Sequence, residues 1–182
     1  FLWKSAERII VPRADHMITV SASIADLYRR EYDVDPLVVR NVSPDVTHLI
    51  PHERSELGAL NEEMLVIIQG SGLNEGRGAG QLLAAMSLTE RVRLLVVGTG
   101  DIIERLRRDA CSSPAGSRII FLPRMPWAEM MRYTMCCDAG LSLDTDTCVN
   151  QRYSLPNKFF DYIAAGIPAL VSPLPEVAAL VE

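Results

Sequence analysis

The sequence predicts an α/β fold with a doubly wound, Rossmann-like parallel sheet. From Met64 onward, short apolar runs alternate with helical patterns, as in chains whose strands and helices form β-α-β units. The runs are almost continuously apolar, which is expected of parallel strands that helices cover on both faces. Turns rich in glycine follow two of these strands, at the edge where open parallel sheets bind their ligands.

Composition and charge limit the class of partner. Of the 182 residues, 48% are apolar and 23% are charged, which suits a chain with a substantial hydrophobic core. The net charge of −5 argues against a nucleic-acid partner, because nucleic-acid binders normally present a basic face. No apolar run approaches the ~20 residues that a membrane-spanning helix needs.

The first third of the chain is predicted to be less regular than the rest. Its expected elements are a helix over 1–13, a strand over 16–20, a helix over 21–32 and a strand over 37–39. Ser21 or Ser23 is a candidate N-cap of the second helix, because a serine oxygen can accept a hydrogen bond from the first turn. Residues 45–63 are polar and mixed in pattern, which indicates a linker between domains.

The remaining residues alternate regularly. Expected strands cover 64–69, 92–97, 118–122, 139–143 and 169–171, and the first of them is apolar. Expected helices cover 78–86, 101–110, 127–136, a segment that begins at Pro156, and 176–182. Three turns marked by glycine or proline then meet at one edge of the sheet, which favours a nucleotide crevice more than any single turn does.

The turn after the first regular strand reads Gly-Ser-Gly-Leu-Asn-Glu-Gly-Arg-Gly over residues 70–78. Gly70 and Gly72 allow close approach of the backbone to an anion, the following helix offers free N–H groups, and Arg77 adds a planar cation suited to phosphate. The spacing matches neither the dinucleotide fingerprint nor the P-loop, so a plain tight connection is the alternative interpretation. Gly98-Thr99-Gly100 forms a second such turn after the next strand.

The segment from Ser154 to Pro168 is the most informative part of the chain. Pro156 suits the first position of a helix, and Lys158 and Asp161 are expected to share one face of its first turn. Free N–H groups and the helix dipole add positive potential at that end. Such a helix end matches a diphosphate and a pair of ribose hydroxyls, although an ordinary capped surface helix has the same pattern.

A competing signal for a metal site follows the strand over 139–143. Asp144-Thr145-Asp146 is a D-x-D sequence at a strand end, and hard divalent cations prefer oxygen ligands. Some glycosyltransferases hold a metal across a nucleotide diphosphate in this way. The plainer interpretation is a solvated loop with two acidic residues.

The order of these elements resembles the C-terminal half of retaining GT-B glycosyltransferases of the group 1 (family 4) type. Five segments carry the resemblance and together span nearly the whole chain: residues 14–21 (ADHMITVS), 38–42 (VVRNV), 70–78 (GSGLNEGRG), 95–100 (LVVGTG) and 154–168 (SLPNKFFDYIAAGIP). The last of them is the most specific.

The resemblance implies roles for individual residues. Arg77 corresponds to the family's basic residue against the donor diphosphate, which is more often lysine. Lys158 and Asn157 match a branch that reads Pro-Asn-Lys, with the lysine near the phosphates. Asp161 takes the place of the ribose-binding carboxylate, usually the longer glutamate. Tyr153 replaces an acidic residue near the sugar, so no sugar contact is transferred to that position.

The remaining implied contacts concern the glycine turns and the base. Gly70 and Gly72 are expected at the nucleotide, and Gly98, Gly100 and the turn Leu122-Pro123-Arg124 are expected to flank the base, which makes Arg124 a binding residue. The implied reaction moves a sugar from a UDP- or GDP-linked donor to an acceptor hydroxyl with retention of the anomeric configuration. Arg77 and Lys158 are the implied catalytic cations for the leaving diphosphate, with no metal and no further cofactor required.

The resemblance also implies a domain organisation. Residues 1–44 are expected to be the tail of an N-terminal acceptor domain, 45–63 the linker, and 64–182 the donor-binding domain without its last helices. A chain of this kind is expected to bind donor but not to turn over alone, because the acceptor domain is a missing partner. Many members act on carbohydrate or lipid-linked acceptors, so we expect a cytoplasmic protein, at most peripheral to the inner membrane face.

Three other functions remain open at this point. The first is a non-catalytic module that binds nucleotide sugars, which the departures from the family pattern at Tyr153 and Asp161 allow. A GT-B-like sugar-nucleotide epimerase would release product sugar without an acceptor. A metal-dependent transferase would use Asp144 and Asp146, and a chelator would abolish its nucleotide binding.

Overall fold

The computed structural model describes residues 2–60 and 62–181. The helices and strands in those residues are α1 (Leu2–Ile10), β1 (Ile18–Thr19), α2 (Ala22–Tyr32), β2 (Leu37–Val38), β3 (Met64–Gly70), α3 (Ala79–Ser87), β4 (Val92–Gly98), α4 (Ile103–Cys111), β5 (Ile119–Leu122), α5 (Trp127–Met135), β6 (Ala139–Ser142), α6 (Val149–Arg152), α7 (Asn157–Ala164), β7 (Ala169–Val171) and α8 (Pro175–Val181). Every predicted helix and strand has its counterpart, and the short helix α6 was not predicted. Phe1 and Glu182, expected in the first and last helices, lie outside the described residues.

The chain forms two compact units, the first composed of Phe1–Asn41, Cys148–Leu155 and Pro173–Glu182. In this unit β1 and β2 pair in parallel, with Ile18 opposite Leu37. The hydroxyl of Ser21 accepts a hydrogen bond from the N–H of Ile24, which identifies Ser21 as the N-cap of α2. This unit therefore has its own small parallel pairing.

The second unit comprises Val42–Thr147 and Pro156–Ser172 and contains a five-stranded parallel sheet in the order β5-β4-β3-β6-β7. Along β3, Val66 and Ile68 point into one hydrophobic cluster with side chains of α3 and α4. Leu65 and Ile67 point into another, which includes Tyr162 of α7. Because buried side chains alternate between the two faces, the predicted doubly wound parallel sheet is confirmed.

The segment predicted to be a linker packs into the second unit. Val46, Leu57 and Ala59 are buried, and residues Arg54–Leu57 form a 3₁₀ turn. Its function as a connection between an acceptor-domain tail and a donor-binding domain stays a prediction.

Candidate functional site

The strand order places a topological switch point in the second unit. From β3 the chain winds outward through β4 to β5, whereas β6 and β7 lie on the opposite side of β3. The loops after β3 and β6 therefore lie next to each other at the carboxyl edge. Thr145 confirms this proximity, because its N–H and hydroxyl donate to the carbonyl of Gly76 at 2.9 and 2.7 Å. In open α/β sheets this crevice is the usual ligand site.

A buried carboxylate occupies the switch point. Asp144, in the loop after β6, is 1% exposed and accepts a hydrogen bond from Arg77 Nη1 on Oδ1 at 2.8 Å. Its Oδ2 lies 3.0 Å from Lys158 Nζ and 3.2 Å from the hydroxyl of Ser142. These four residues are called the Asp144 cluster below. The cluster brings together Arg77 and Lys158, the two cations that the sequence assigned to a diphosphate.

The two cations of the Asp144 cluster differ in exposure. The side chain of Arg77 is 34% exposed and that of Lys158 is 9% exposed. Burial lowers the pKa of Lys158, and the positive charge of Arg77 acts in the same direction, while Asp144 opposes both. Arg77 is thus the more accessible cation, and Asp144 favours the charged form of Lys158.

The predicted ribose carboxylate lies in a second polar group. Asp161 is 7% exposed; its Oδ1 accepts from the hydroxyl of Ser43 and from Trp127 Nε1 at 3.1 Å. Its Oδ2 accepts from Gln69 Nε2 at 3.1 Å, and Gln69 Oε1 accepts in turn from the hydroxyl of Thr134 at 2.7 Å. These five residues are called the Asp161 network below. A carboxylate so held is fixed in orientation before any ligand arrives.

The first turn of α7 differs in one respect from the prediction. Pro156 is the N-cap, and the helix begins at Asn157, one residue later than expected. Lys158 and Asp161 are both buried in α7, yet they belong to separate groups, the lysine to the Asp144 cluster and the aspartate to the Asp161 network. Helix α7 is therefore the element that joins the two groups.

The glycines in the turns at this edge differ in whether packing requires them. An ideal Cβ on Gly98 would lie 1.9 Å from the carbonyl oxygen of Gly70, and one on Gly100 would lie 2.0 Å from that of Leu73. Glycine is thus required for the two turns to pack together. At Gly72 the nearest atom to such a Cβ is 3.9 Å away, so internal packing does not demand glycine there.

Arg124 and Asn157 were also predicted to bind the nucleotide, whereas no sugar contact was assigned to Tyr153. Arg124 is exposed in the loop after β5, and within the described residues it forms no hydrogen bond or ion pair with either group. Asn157 is exposed at the start of α7. Tyr153, in the first unit, accepts a hydrogen bond from the hydroxyl of Ser21 on its carbonyl at 3.1 Å. Contact of Arg124 and Asn157 with a nucleotide stays a prediction.

The metal interpretation of the D-x-D sequence does not suit the site. Asp146 is exposed, whereas Asp144 is buried and each of its oxygens already faces a cation. Two cations at 2.8 and 3.0 Å repel a divalent ion from the same carboxylate. The expectation of a solvated loop is also wrong for Asp144, since it is almost completely buried.

Comparison with solved structures establishes the fold of the chain. No protein-family model matches the sequence, and no curated protein matches it either. The structure of Anabaena HepE, determined with UDP and glucose, superposes with a TM-score of 0.77 at 16% identity, over 98% of this chain and 50% of HepE. The chain has the fold of the C-terminal half of a GT-B glycosyltransferase.

Two further structures share this GT-B half. Sucrose-phosphate synthase from Thermosynechococcus elongatus matches with a TM-score of 0.73 at 19% identity, over 93% of this chain and 44% of its own. WaaG, a glycosyltransferase of lipopolysaccharide biosynthesis, matches with a TM-score of 0.68 at 16% identity, over 90% of this chain and 46% of WaaG. The chain therefore spans about half the length of the structures that it matches.

Several residues of the Asp161 network were not predicted from the sequence. Ser43, Trp127 and Thr134 carry no motif, and only the fold brings them to Asp161. Gln69 had a signal, because it is a polar residue in an otherwise apolar strand, and at 1% exposure such a side chain needs partners. The strand is therefore not apolar to its end.

One negative finding concerns membranes. In residues 2–60 and 62–181, no helix combines the length and the apolar character that are needed to cross a bilayer.

Proposed function

We propose that this chain binds the donor of a retaining glycosyltransferase, which moves a hexosyl group from a nucleoside-diphosphate sugar to an acceptor hydroxyl. The observation that carries the proposal is the Asp144 cluster. Two cations from separate elements, Arg77 and Lys158, converge at the switch point of a GT-B half. HepE, which has this fold, is described in complex with UDP-glucose and with UDP.

The chemistry assigned to the cluster follows from its charge. When the bond between the anomeric carbon and the phosphate oxygen breaks, negative charge grows on the leaving diphosphate. We assign the stabilisation of that charge to Arg77, Lys158 and the positive end of the α7 helix dipole, without a metal ion. Donor binding and leaving-group stabilisation therefore use the same groups.

The Asp161 network supplies the nucleoside end of the proposed site. Three donors hold the two oxygens of Asp161, and four lone-pair positions are available on a carboxylate. A ribose hydroxyl can take the remaining position or replace the hydroxyl of Ser43. We assign the ribose to Asp161, the diphosphate to Arg77 and Lys158, and the base to the side of Gly98, Gly100 and Arg124.

The acceptor cannot be assigned to residues of this chain, because the chain matches only about half of a GT-B glycosyltransferase. We propose a carbohydrate or lipid-linked acceptor, bound by a separate acceptor domain, in keeping with WaaG and its part in lipopolysaccharide biosynthesis. This chain alone is expected to bind donor without transferring sugar. Sugar transfer by the purified chain would contradict that expectation.

Isothermal titration calorimetry and thermal unfolding with UDP, GDP and ADP, each with and without EDTA, test the proposal. A nucleotide at a hundred times its Kd adds about 2.7 kcal/mol to the free energy of unfolding. For a chain of this size the gain is roughly 5–10 °C in Tm. One of the three nucleotides is expected to give this shift, with EDTA making no difference.

Variants locate the site. Arg77→Ala and Asp161→Ala are each expected to weaken binding about tenfold to a hundredfold, the value of a lost charge-assisted hydrogen bond. Arg108→Ala, an exposed change on α4 with the same loss of charge, is the matched control and should leave binding unchanged. Equal losses in all three variants, or no binding of any nucleotide, would refute the proposed site. Binding that EDTA abolishes would instead favour the D-x-D alternative.

The alternatives without transfer are separated in a second step. The chain is joined to an acceptor domain and given a nucleotide sugar. If the joined protein is a transferase, it forms product only when acceptor is present. A binding module forms none, and an epimerase releases altered sugar without acceptor.

A further inference from the structure

Given the proposed function, on which this inference rests, we propose that Asp144 is a positioning residue for the donor diphosphate. Its buried carboxylate holds Arg77 and Lys158 side by side, one cation on each oxygen. In this role Asp144 touches neither sugar nor metal and acts through the two cations.

The geometry gives the first reason. Arg77 comes from the turn after β3, Lys158 from the first turn of α7, and Asp144 from the loop after β6. The two cations carry like charges and have no direct bond that could hold them together. A shared carboxylate at 2.8 and 3.0 Å offsets their repulsion and fixes their separation.

The second reason is that neither cation is saturated by Asp144. A guanidinium has five N–H donors and an ammonium has three, and each contacts Asp144 through one nitrogen. One carboxylate against two cations leaves a net positive charge, and Arg77 keeps a third of its side chain exposed. The cluster can therefore accept a diphosphate while Asp144 stays in place.

The third reason concerns the charge of Lys158. The lysine is the second residue of α7, where the positive end of the helix dipole disfavours a cation, and it is 9% exposed. Arg77 faces it from the turn after β3, and Asp144 faces it from the loop after β6. Asp161 lies one turn further along α7, where other donors hold it. Asp144 is thus the carboxylate that favours the protonated form of Lys158 against burial and the charge of Arg77.

The first experiment measures this effect without any ligand. The chain contains two lysines, Lys4 and Lys158, so a protein labelled with ¹³C and ¹⁵N at lysine gives two side-chain NMR signals. Asp144→Asn is expected to lower the midpoint of the Lys158 titration below its wild-type value. Asp146→Asn, an exposed change two residues later, is the matched control and should leave the midpoint in place. An unchanged Lys158 midpoint in Asp144→Asn overturns the inference.

The second experiment measures the Kd of UDP as a function of pH, between about pH 6 and pH 10. Affinity should fall as Lys158 loses its proton, and in Asp144→Asn it should fall at lower pH than in the wild type. Asp144→Glu, which keeps the charge, should restore most of the wild-type midpoint. Lys158→Arg should remove the dependence that stems from this residue, because arginine keeps its proton throughout the range. This last test does not require the Asp144→Asn variant to fold.

The outcomes separate this inference from the proposed function. If UDP binds the wild type and Asp144→Asn with the same Kd and the same pH dependence, Asp144 does not position the cations, and the proposed function stands. If Asp144→Asn binds UDP more tightly with an unshifted midpoint, Asp144 is a competitor of the diphosphate, and the inference is wrong. If none of UDP, GDP and ADP binds the wild type, the proposed function fails and the inference fails with it; if GDP or ADP binds in place of UDP, the same titrations are made with that nucleotide.

Discussion

The ring of Tyr162 fills the space next to Gly140, so that an ideal Cβ on Gly140 would lie 2.3 Å from Cγ of the ring. Tyr162 is fully buried, and its hydroxyl donates to the carbonyl of Leu141 at 3.1 Å. Gly140 belongs to β6, which leads to Asp144, and Tyr162 belongs to α7, which carries Lys158. This contact therefore sets the distance between β6 and α7, two of the three elements that supply the Asp144 cluster.

Gly140→Ala is expected to destabilise the protein by about 1–3 kcal/mol, because the added methyl group overpacks against the Tyr162 ring. Urea unfolding at neutral pH measures the change. Gly80→Ala is the matched control, since no atom lies within 4 Å of a Cβ at this position in α3. There the substitution should be neutral or stabilise by up to about 1 kcal/mol. Equal effects at both positions would contradict the packing described for Tyr162.

The glycine turns give a second prediction, in which stability and binding separate. Gly100→Ala should destabilise the fold, because its Cβ would meet the carbonyl of Leu73 at 2.0 Å. Gly72→Ala should leave the free energy of unfolding within about 0.5 kcal/mol, the usual range for a surface change, yet weaken nucleotide binding by crowding the approach to the turn. Unfolding curves and calorimetry on both variants test this. Wild-type nucleotide affinity in Gly72→Ala would exclude the close approach.

Asp138 gives a prediction on pH. It accepts from Arg54 Nη1 at 2.6 Å and from the N–H of Leu65 at 2.7 Å, and the Arg54 guanidinium holds its pKa below the ordinary value. Because the folded-state pKa is the lower one, this stabilisation is present above the unfolded-state pKa of about 3.9. It is lost as the pH falls through the folded-state pKa.

Asp138→Asn should therefore cost about 1 kcal/mol at pH 7, a modest value because the carboxylate is partly exposed. The difference from the wild type should shrink between pH 7 and an acidic pH below the lowered folded-state pKa of Asp138, where the wild-type carboxylate is itself protonated. Urea unfolding at both pH values checks this, with Asp109→Asn on the exposed face of α4 as control. A difference that does not change with pH would mean that the charge of Asp138 is irrelevant.

Trp127 provides a reporter of the Asp161 network. Its indole N–H donates to Asp161 Oδ1, and the other tryptophan, Trp3, is 85% exposed in the first unit. In a Trp3→Phe variant, nucleotide binding is expected to change the fluorescence of Trp127 saturably, because a ribose hydroxyl at Asp161 alters that hydrogen bond. The same titration of Trp3→Phe with Asp161→Ala should be flat. Calorimetric saturation with no change in Trp127 emission would place the ribose elsewhere.

The sequence was sufficient to predict the parallel sheet and to single out Arg77 and Lys158 as candidate phosphate-binding cations, because both features leave local signals in the sequence. Apolar runs mark buried strands, glycines mark the turns, and Lys158 lies in the first turn of the helix that Pro156 caps. The strand order was not readable, and that order alone brings the loop of Asp144 to Arg77. The D-x-D sequence does not reveal that Asp144 faces two cations, because both cations come from elements that are distant in the chain.

The Asp161 network was out of reach for the same reason. Ser43, Gln69 and Trp127, which donate to Asp161, lie 34 to 118 positions from it in the sequence. Thr134 reaches the network only through its hydrogen bond to Gln69. Hydrogen bonds over such distances depend on tertiary packing and leave no periodic pattern. Gln69 was the exception, since a polar residue in an apolar strand predicts a buried partner.

The most direct test of the central claim is a titration of UDP into the lysine-labelled chain, followed by NMR. The amine of Lys158 in the Asp144 cluster should shift saturably with UDP, while that of Lys4, in the first unit, should stay in place. Saturable binding of UDP that leaves the Lys158 signal unchanged would show that the diphosphate lies elsewhere and would contradict the account.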